Sequence, residues 1–176
     1  MSNTEPVLTT ERLELWRPVR DDFPELHALL APEPMRTFLG GPTTKADEFG
    51  RFMRGGGSWQ LYGYGMFHLR ERGREPLVGI AGVFHSWRGF GEGLDDVPEA
   101  GWIIGEACWG RGYAREATAA ALAWFERSFA EPRIACMIED GNAASVAVAA
   151  RLGFREYARH QPNEGRELVL YQRLRS

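Results

Sequence analysis

The order of apolar and polar positions predicts a strand and two helices in the first third of the chain. Leu13-Glu14-Leu15-Trp16 alternates apolar and polar residues, which is typical of a half-buried strand. Short helices are predicted over 23–31 and from Thr43 or Thr44 to Arg54. The run Gly55-Gly56-Gly57 lacks the GK[ST] of a phosphate loop, so we expect it to end the second helix as a hinge.

The rest of the chain predicts strands and two further helices. Apolar residues recur at helical spacing after a glycine motif, at Ala114, Thr118, Ala121, Leu122, Phe125 and Phe129. A last helix has Asn142 as its N-cap and Gly153 at its C-terminus. Strands are predicted at 62–70, 77–84, 99–105, 133–139, 154–160 and 166–174. Antiparallel strands followed by a β-α-β unit imply a mixed sheet with helices on both faces, an α/β fold.

Length and charge limit the class of protein. The 176 residues suit one domain over 1–176, and a net charge of −3 argues against a nucleic-acid binder. Cys108 and Cys136 lie far apart, and the four histidines match no ligand spacing, so no metal site is expected. No signal peptide precedes Leu8 and no apolar run is long enough to span a membrane, so we expect a cytoplasmic protein.

The stretch Trp109-Gly110-Arg111-Gly112-Tyr113-Ala114-Arg115-Glu116 is the main functional signal. It joins a predicted strand to a predicted helix, and glycines at such a junction let backbone N–H groups approach a ligand. The helix N-terminus favours a phosphate, whereas Arg111 and Arg115 are unfavourable there unless an anion lies between them. Exposed helix charges are the alternative interpretation, and the spacing around the glycine favours the phosphate.

Three motifs together resemble the GNAT superfamily of acetyl-CoA-dependent N-acetyltransferases. The chain looks closest to the branch of ribosomal-protein N-terminal acetyltransferases. The motifs are Leu8-Thr-Thr-Glu-Arg-Leu-Glu-Leu15, Glu99-Ala-Gly-Trp-Ile-Ile-Gly105 with the glycine stretch, and Asn142-x-x-Ser145 with Leu152-Gly-Phe154. The resemblance covers nearly the whole chain. It implies a mostly antiparallel sheet of about seven strands flanked by four helices, with a splayed V between the fourth and fifth strands.

The resemblance also implies where acetyl-CoA binds, with no metal. Trp109 stands at the first position of a pattern that is usually Gln or Arg in the superfamily, although tryptophan is familiar in this branch. The pyrophosphate is expected on the backbone of Gly110, Arg111, Gly112, Tyr113, Ala114 and Arg115. The pantetheine is expected to pair with the strand through Ile103 and Ile104, with Asn142 beside it.

For catalysis, the resemblance points to Glu99 as the base and Ser145 as the acid. The tyrosine that many superfamily members use as the acid corresponds to Ala149 here, which removes the usual proton donor. Two plainer interpretations stay open: Ser145 as a capping residue of its helix, and Glu99 as a solvated charge at a strand edge.

The expected activity is acetyl transfer from acetyl-CoA to a primary amine, either a protein N-terminus or a small molecule. An acidic loop with Glu92, Asp95 and Asp96 would suit a cationic acceptor, although such loops also serve solubility. Two alternatives stay open, a catalytically inactive CoA-binding sensor and a nucleotide-binding protein. No nucleic-acid or membrane partner is expected, and the chain is predicted to be a monomer or homodimer.

Overall fold

A computed structural model describes residues 5–40, 43–91, 93–162 and 165–175. Within these residues, eight strands form one sheet in the order β1-β2-β3-β4-β5-β6-β8-β7. They are β1 (Leu8–Thr9), β2 (Leu13–Trp16), β3 (Met66–Glu71), β4 (Leu77–Trp87), β5 (Asp95–Ile104), β6 (Arg133–Glu139), β7 (Arg155–His160) and β8 (Leu168–Leu174). The β5–β6 pair is parallel, and every other neighbouring pair in this sheet is antiparallel.

Five α-helices flank the sheet in the same described residues. They are α1 (Phe23–Leu30), α2 (Glu33–Arg36), α3 (Lys45–Tyr62), α4 (Tyr113–Ser128) and α5 (Ala143–Arg151). The mixed, mostly antiparallel α/β fold is therefore confirmed, with one strand and one helix more than predicted. The additions are the two-residue β1 and the single turn α2, which has Pro34 in its first turn. None of the described helices is both long and apolar enough to cross a bilayer.

The prediction that the glycine triplet ends a helix is wrong. Helix α3 continues through Gly55-Gly56-Gly57 and ends at Gly63, whose φ of 78° is left-handed. Tertiary contacts hold its second half: the Ser58 hydroxyl donates to the Tyr64 carbonyl at 2.7 Å, and Trp59 Nε1 donates to the Met66 carbonyl at 2.9 Å. These contacts outweigh the low helix propensity of three glycines.

The pairing of β4 with β5 contrasts with that of β5 with β6. β4 and β5 pair at nine positions, from Gly79↔Ile104 to Trp87↔Asp95. For β5 and β6, the described residues show one paired position, Glu99↔Ala135. The two parallel strands therefore diverge beyond Glu99, which confirms the V predicted between the fourth and fifth predicted strands.

Strand register divides the side chains between two faces. Phe67, Ala81 and Trp102 are partners across β3, β4 and β5, and they lie with α4 and α5 against one face. The neighbouring partners His68, Ile80 and Ile103 point to the opposite face, together with α1 and part of α3. The strand that borders the V therefore presents different chemistry on its two sides.

Candidate active site

The glycine stretch forms a tight loop at the start of α4. Gly110 and Gly112 have φ of 74° and 78°, and Gly112 is the residue that caps the helix. A side chain at either position would be strained, which explains the glycines. The first amides of α4 have no partner within the helix, so the loop presents backbone donors to an anion.

Two buried or half-buried carboxylates tie this loop to the other end of the sheet. Glu116 accepts hydrogen bonds from the Thr10 hydroxyl at 2.6 Å, the Arg12 amide at 3.0 Å and Arg12 Nε at 2.7 Å. Burial alone raises the pKa of Glu116, but these hydrogen bonds from Thr10 and Arg12 lower it overall. Arg12 also donates to the carbonyl of Arg111 at 2.8 Å. The turn between β1 and β2 therefore fixes the start of α4.

The second carboxylate is Glu71, at the end of β3. It accepts from the Tyr113 hydroxyl at 2.6 Å and from Arg111 at 3.0 Å. The Tyr113 hydrogen bond, and then the charges of Arg74 and Arg111, lower the pKa of Glu71. Sequence analysis missed Arg12, Glu71 and the anchoring role of Glu116, because their spacing along the chain carries no motif.

The two arginines that were predicted to flank an anion have different surroundings. Arg111 is half-exposed and pairs with Glu71, whereas Arg115 is exposed on the first turn of α4. Glu71 offsets the charge of Arg111. The donors with fixed geometry at this loop are thus the backbone amides, including those of Tyr113 and the half-buried Ala114.

Two residues of β5 turn backbone groups toward the edge of the strand that faces the V. The Gly105 amide donates to the Val78 carbonyl on β4 at 2.9 Å, so strand alternation directs the backbone of Ile103 toward β4 as well. The backbone groups of Trp102 and Ile104 point the other way, toward β6. Trp109 Nε1 donates to the Ile104 carbonyl at 2.7 Å and thereby joins the loop to this strand. The register therefore favours Trp102 and Ile104, rather than Ile103, for pairing with an extended ligand.

The predicted base, Glu99, lies where the V closes. Its partners across the sheet are Phe84 on β4 and Ala135 on β6, and the residue is 3% exposed. Arg88 binds its carboxylate with two hydrogen bonds, from Nε at 2.9 Å and Nη2 at 2.7 Å. Glu99 is therefore a buried, charge-paired carboxylate and not the solvated strand-edge charge of the alternative interpretation.

The other arm of the V carries Asn142 and Ser145. The Asn142 side chain accepts from the Ser145 amide at 3.1 Å, which caps α5. The Ser145 hydroxyl accepts from Trp102 Nε1 at 3.3 Å and so makes a contact between the two arms. Ala149 is fully buried in the core and offers no hydroxyl. The capping role predicted as an alternative for Ser145 belongs to Asn142.

A cavity of about 120 Å³ lies on the opposite face of the sheet, between α1, α2 and α3 and strands β3 to β5. Its lining is mainly apolar and includes Leu26, Phe52, Met66, Ile80 and Ile103. Sequence analysis did not predict it, because its residues come from six separate elements.

A polar wall borders this cavity. His27 Nδ1 lies 2.5 Å from Glu48 Oε2, and the Thr43 hydroxyl donates to Glu48 Oε1 at 3.0 Å. Burial raises the pKa of Glu48, but its hydrogen bonds with His27 and Thr43 and the charge of Arg36 lower it overall. Glu48 is thus a charged carboxylate at the edge of an apolar space. His27, one of the four histidines that match no metal-ligand spacing, is part of this wall.

A second buried carboxylate, Asp22, supports the same face. Its oxygens lie 2.8 Å from His68 Nδ1 and 2.9 Å from both Arg70 Nη2 and the Val19 amide. Burial raises the pKa of Asp22, but the adjacent His68 imidazole, and then the hydrogen bonds from Val19 and Arg70, lower it to about 2. Asp22 therefore joins the start of α1 to β3.

The acidic loop is partly a folding element. Asp95 accepts from the amides of Arg88 at 2.8 Å, Gly89 at 2.6 Å and Gly91 at 2.9 Å. Asp96 lies 3.0 Å from His85 Nε2, and Glu92 lies outside the described residues. Asp95 thus shapes the loop instead of facing an acceptor. Cys108 and Cys136 are free thiols, and the described residues contain no cluster that could hold a metal ion.

Comparison with known proteins matches the chain to one family model, the acetyltransferase (GNAT) domain, over residues 12–155. A GnaT-family acetyltransferase from Bordetella pertussis is 32% identical with a TM-score of 0.83, over 94% of this chain and 98% of that one. RimL, a ribosomal L7/L12 α-N-protein acetyltransferase in complex with coenzyme A, has a TM-score of 0.76 at 19% identity, over 97% and 98% of the two chains, which shows a shared fold.

A curated relative matches over a shorter stretch. The uncharacterised protein YkkB of Bacillus subtilis strain 168 is 34% identical over 79 residues. That match covers 44% of each of the two chains, so this chain spans less than half of that relative's length. The family model and the Bordetella pertussis structure agree on one family, and that structural match extends over almost the whole chain.

Proposed function

Since the chain belongs to the GNAT acetyltransferase family, we propose that it transfers an acetyl group from acetyl-CoA to a primary amine by direct attack. Membership of this family makes the chain an acetyl-CoA-dependent acyltransferase. The acceptor amine and the roles of individual residues are the proposal.

One observation carries it: the open edge of β5 runs directly into the glycine loop. Trp102 and Ile104 turn backbone groups toward the V, and Trp109 joins the loop to Ile104. A pantetheine arm contains two amides and can pair with a strand edge, while a pyrophosphate suits the amides at a helix start. The two surfaces are contiguous, and they offer the two kinds of contact that one CoA molecule requires.

We assign the pyrophosphate to the amides between Gly110 and Arg115, and the pantetheine to Trp102 and Ile104. Asn142 and Ser145 lie on the other arm of the V, where they border the same space. Bound acetyl-CoA supplies an activated thioester carbonyl. The chain supplies the anion site, a strand edge that orients the arm, and a buried carboxylate where the V closes.

In the transfer step, the amine nitrogen forms a bond with the acetyl carbon, and the carbon–sulfur bond breaks. Glu99 accepts the proton that the ammonium must lose, either directly or through one water. Arg88 holds this carboxylate in place with two hydrogen bonds. The Ser145 hydroxyl is held by Trp102 and donates a proton to the departing thiolate. The nitrogen loses its second proton as the amide forms, and this proton replaces the one that Ser145 gave up.

We consider two classes of acceptor, a protein N-terminal amine and a small-molecule amine. RimL acts on the α-amine of a ribosomal protein, but its likeness to this chain at 19% identity is one of fold. We therefore place a peptide N-terminus and small amines side by side in the test.

The test measures CoA binding by calorimetry and thiol release from acetyl-CoA over a panel of peptides and amines. We expect CoA to bind and at least one amine to release thiol above the rate without an acceptor. CoA binding without release for any amine would favour the sensor. Stabilisation by ATP and not by CoA would favour a nucleotide-binding protein and overturn the proposal.

Glu99→Gln tests the base. We expect kcat to fall by about a hundredfold, a typical general-base contribution, while the affinity for CoA is unchanged. Arg88→Gln is the matched comparison, because it breaks the same ion pair and leaves the carboxylate in place. Equal losses of activity and of Tm in both variants would make Glu99 a structural partner of Arg88.

A further inference from the structure

The glycine triplet of α3 has no role in the coenzyme site, yet it lies beside the cavity on the opposite face. Gly55 lines that cavity, whereas Gly56 is exposed to solvent. A Cβ built at Gly55 would meet no atom within 4 Å. Glycine is unfavourable inside a helix by roughly 0.5–1 kcal/mol relative to alanine, so its presence at this position leaves space at a cost to the helix.

The cavity adjoins the strand on which we place the pantetheine. Ile103 of β5 lines it, and so does Met66 of β3. An added Cβ at Gly101 would lie 3.6 Å from Met66 Cε, and Gly101 is two residues from Glu99 along the strand. The apolar space therefore begins within one side chain of the proposed transfer point.

The size and lining of the cavity select a chemical class. A dry apolar cavity of about 150 Å³ holds a benzene ring, so 120 Å³ suits a branched or cyclic group of about four to six carbons. The charge of Glu48 does not select the acceptor, because Glu48 already contacts His27 and Thr43, and the cations Arg36 and Arg51 also line this space. The apolar lining therefore selects the acceptor by the size and shape of its hydrocarbon group, and the amine is the reacting group of the proposed transfer.

We propose that the cavity binds the apolar group of the acceptor, that the acceptor is a primary amine bearing a compact apolar group, and that Gly55 determines this specificity. This proposal rests on the proposed acetyltransferase activity. It deepens that activity by naming the acceptor class and the residue that makes room for it.

The first experiment varies the acceptor at fixed acetyl-CoA. Along the series ethylamine, propylamine, isobutylamine and isoamylamine, kcat/KM is expected to rise about fourfold per buried methylene. An amine much larger than the cavity reverses the trend. Leucine, leucinamide and a leucyl dipeptide then distinguish a free amine from an amino acid or a peptide N-terminus. A flat series, or preference for a hydrophilic polyamine, would overturn the proposal.

The second experiment fills the cavity. Gly55→Leu puts an aliphatic side chain into the space, and kcat/KM for isoamylamine is expected to fall about tenfold or more, with ethylamine much less affected. Gly56→Leu is the matched control, because it makes the same change on the same helix outside the cavity. Both variants are expected to bind CoA like the wild type. Equal behaviour of the two variants toward isoamylamine would contradict the role of Gly55.

A binding measurement keeps this proposal separate from the activity. Calorimetry with isoamylamine in the presence of CoA is expected to detect binding to the wild type and Gly56→Leu, and loss of binding to Gly55→Leu. If this binding pattern is found without thiol release, the cavity binds the amine as proposed, and the proposed acetyl transfer is overturned. Thiol release from amines with no binding difference between the variants would uphold the transfer and overturn the cavity.

Discussion

The loop that we propose for the coenzyme and the cavity that we propose for the acceptor are built in opposite ways. The loop is eight consecutive residues whose hydrogen-bond donors are mainly backbone amides, and glycines with positive φ set its shape. The cavity takes side chains from three helices and three strands, and its shape depends on a missing side chain at Gly55. A backbone site is fixed locally by residue type, whereas a side-chain site exists only once distant elements have packed. Substitutions in the two regions should therefore have separable effects.

The largest expected effect is on the loop. Gly112→Asp places a side chain at φ 78° and a negative charge at the proposed pyrophosphate site, so we expect the Kd for CoA to rise by about a hundredfold or more. Gly73→Asp is the control, because Gly73 has a similar φ of 68° in an open turn between β3 and β4. Unchanged CoA affinity in Gly112→Asp would remove the loop from the coenzyme site.

On the face of the sheet that carries the cavity, Asp22→Asn is expected to lower the free energy of unfolding by about 2 kcal/mol at neutral pH. The reason is that the pKa of Asp22 is about 2, against an ordinary value of 3.8. Because the pKa of Asp22 is lower in the folded state, its charged carboxylate stabilises the fold at pH values above the pKa in the unfolded chain. The difference from wild type should therefore be complete above about pH 5 and disappear as the pH falls toward 2. Urea unfolding at several pH values measures it.

Asp21→Asn is the control for that experiment, since the neighbouring Asp21 is almost fully exposed and is expected to change little. CoA affinity should be the same in both variants at neutral pH. A stability difference for Asp22→Asn that persists unchanged at pH 2 would show that the carboxylate charge is not its cause.

Glu116→Gln tests the anchor of the loop. It removes the charge that holds Thr10 and Arg12, and we expect the Kd for CoA to rise about tenfold through a looser start of α4. Glu106→Gln, in the exposed turn before the loop, is the control. If binding of isoamylamine weakened as much as that of CoA, the two sites would not be independent.

The smallest effect concerns the helix that carries Gly55. Gly56→Ala changes neither site, and it should raise stability by roughly 0.5–1 kcal/mol, or a few degrees in Tm. Gly73→Ala is expected to have the opposite sign, because its φ is positive. Differential scanning calorimetry measures both. A lower Tm for Gly56→Ala would mean that the triplet is needed for the shape of α3 itself.

Much of the fold followed from local pattern. The alternation at Leu13–Trp16, the apolar stripe after Gly112 and the caps at Asn142 and Gly153 predicted elements that are present. Local pattern failed at the glycine triplet, where Ser58 and Trp59 find distant carbonyl partners that keep α3 helical. Each glycine costs a helix about 1 kcal/mol relative to alanine. The tertiary hydrogen bonds of Ser58 and Trp59, together with the burial of these two side chains, outweigh that cost.

The sequence by itself determined the loop that we propose for the coenzyme, because a turn that needs positive φ and a helix that starts beside it are properties of consecutive residues. Tertiary structure alone decided three other features: the pairing of Glu99 with Arg88, the anchoring of the loop by Arg12 and Glu71, and the cavity beside Gly55. Each joins side chains from different elements. Their contact depends on strand register and helix packing, which no stretch of the chain specifies alone.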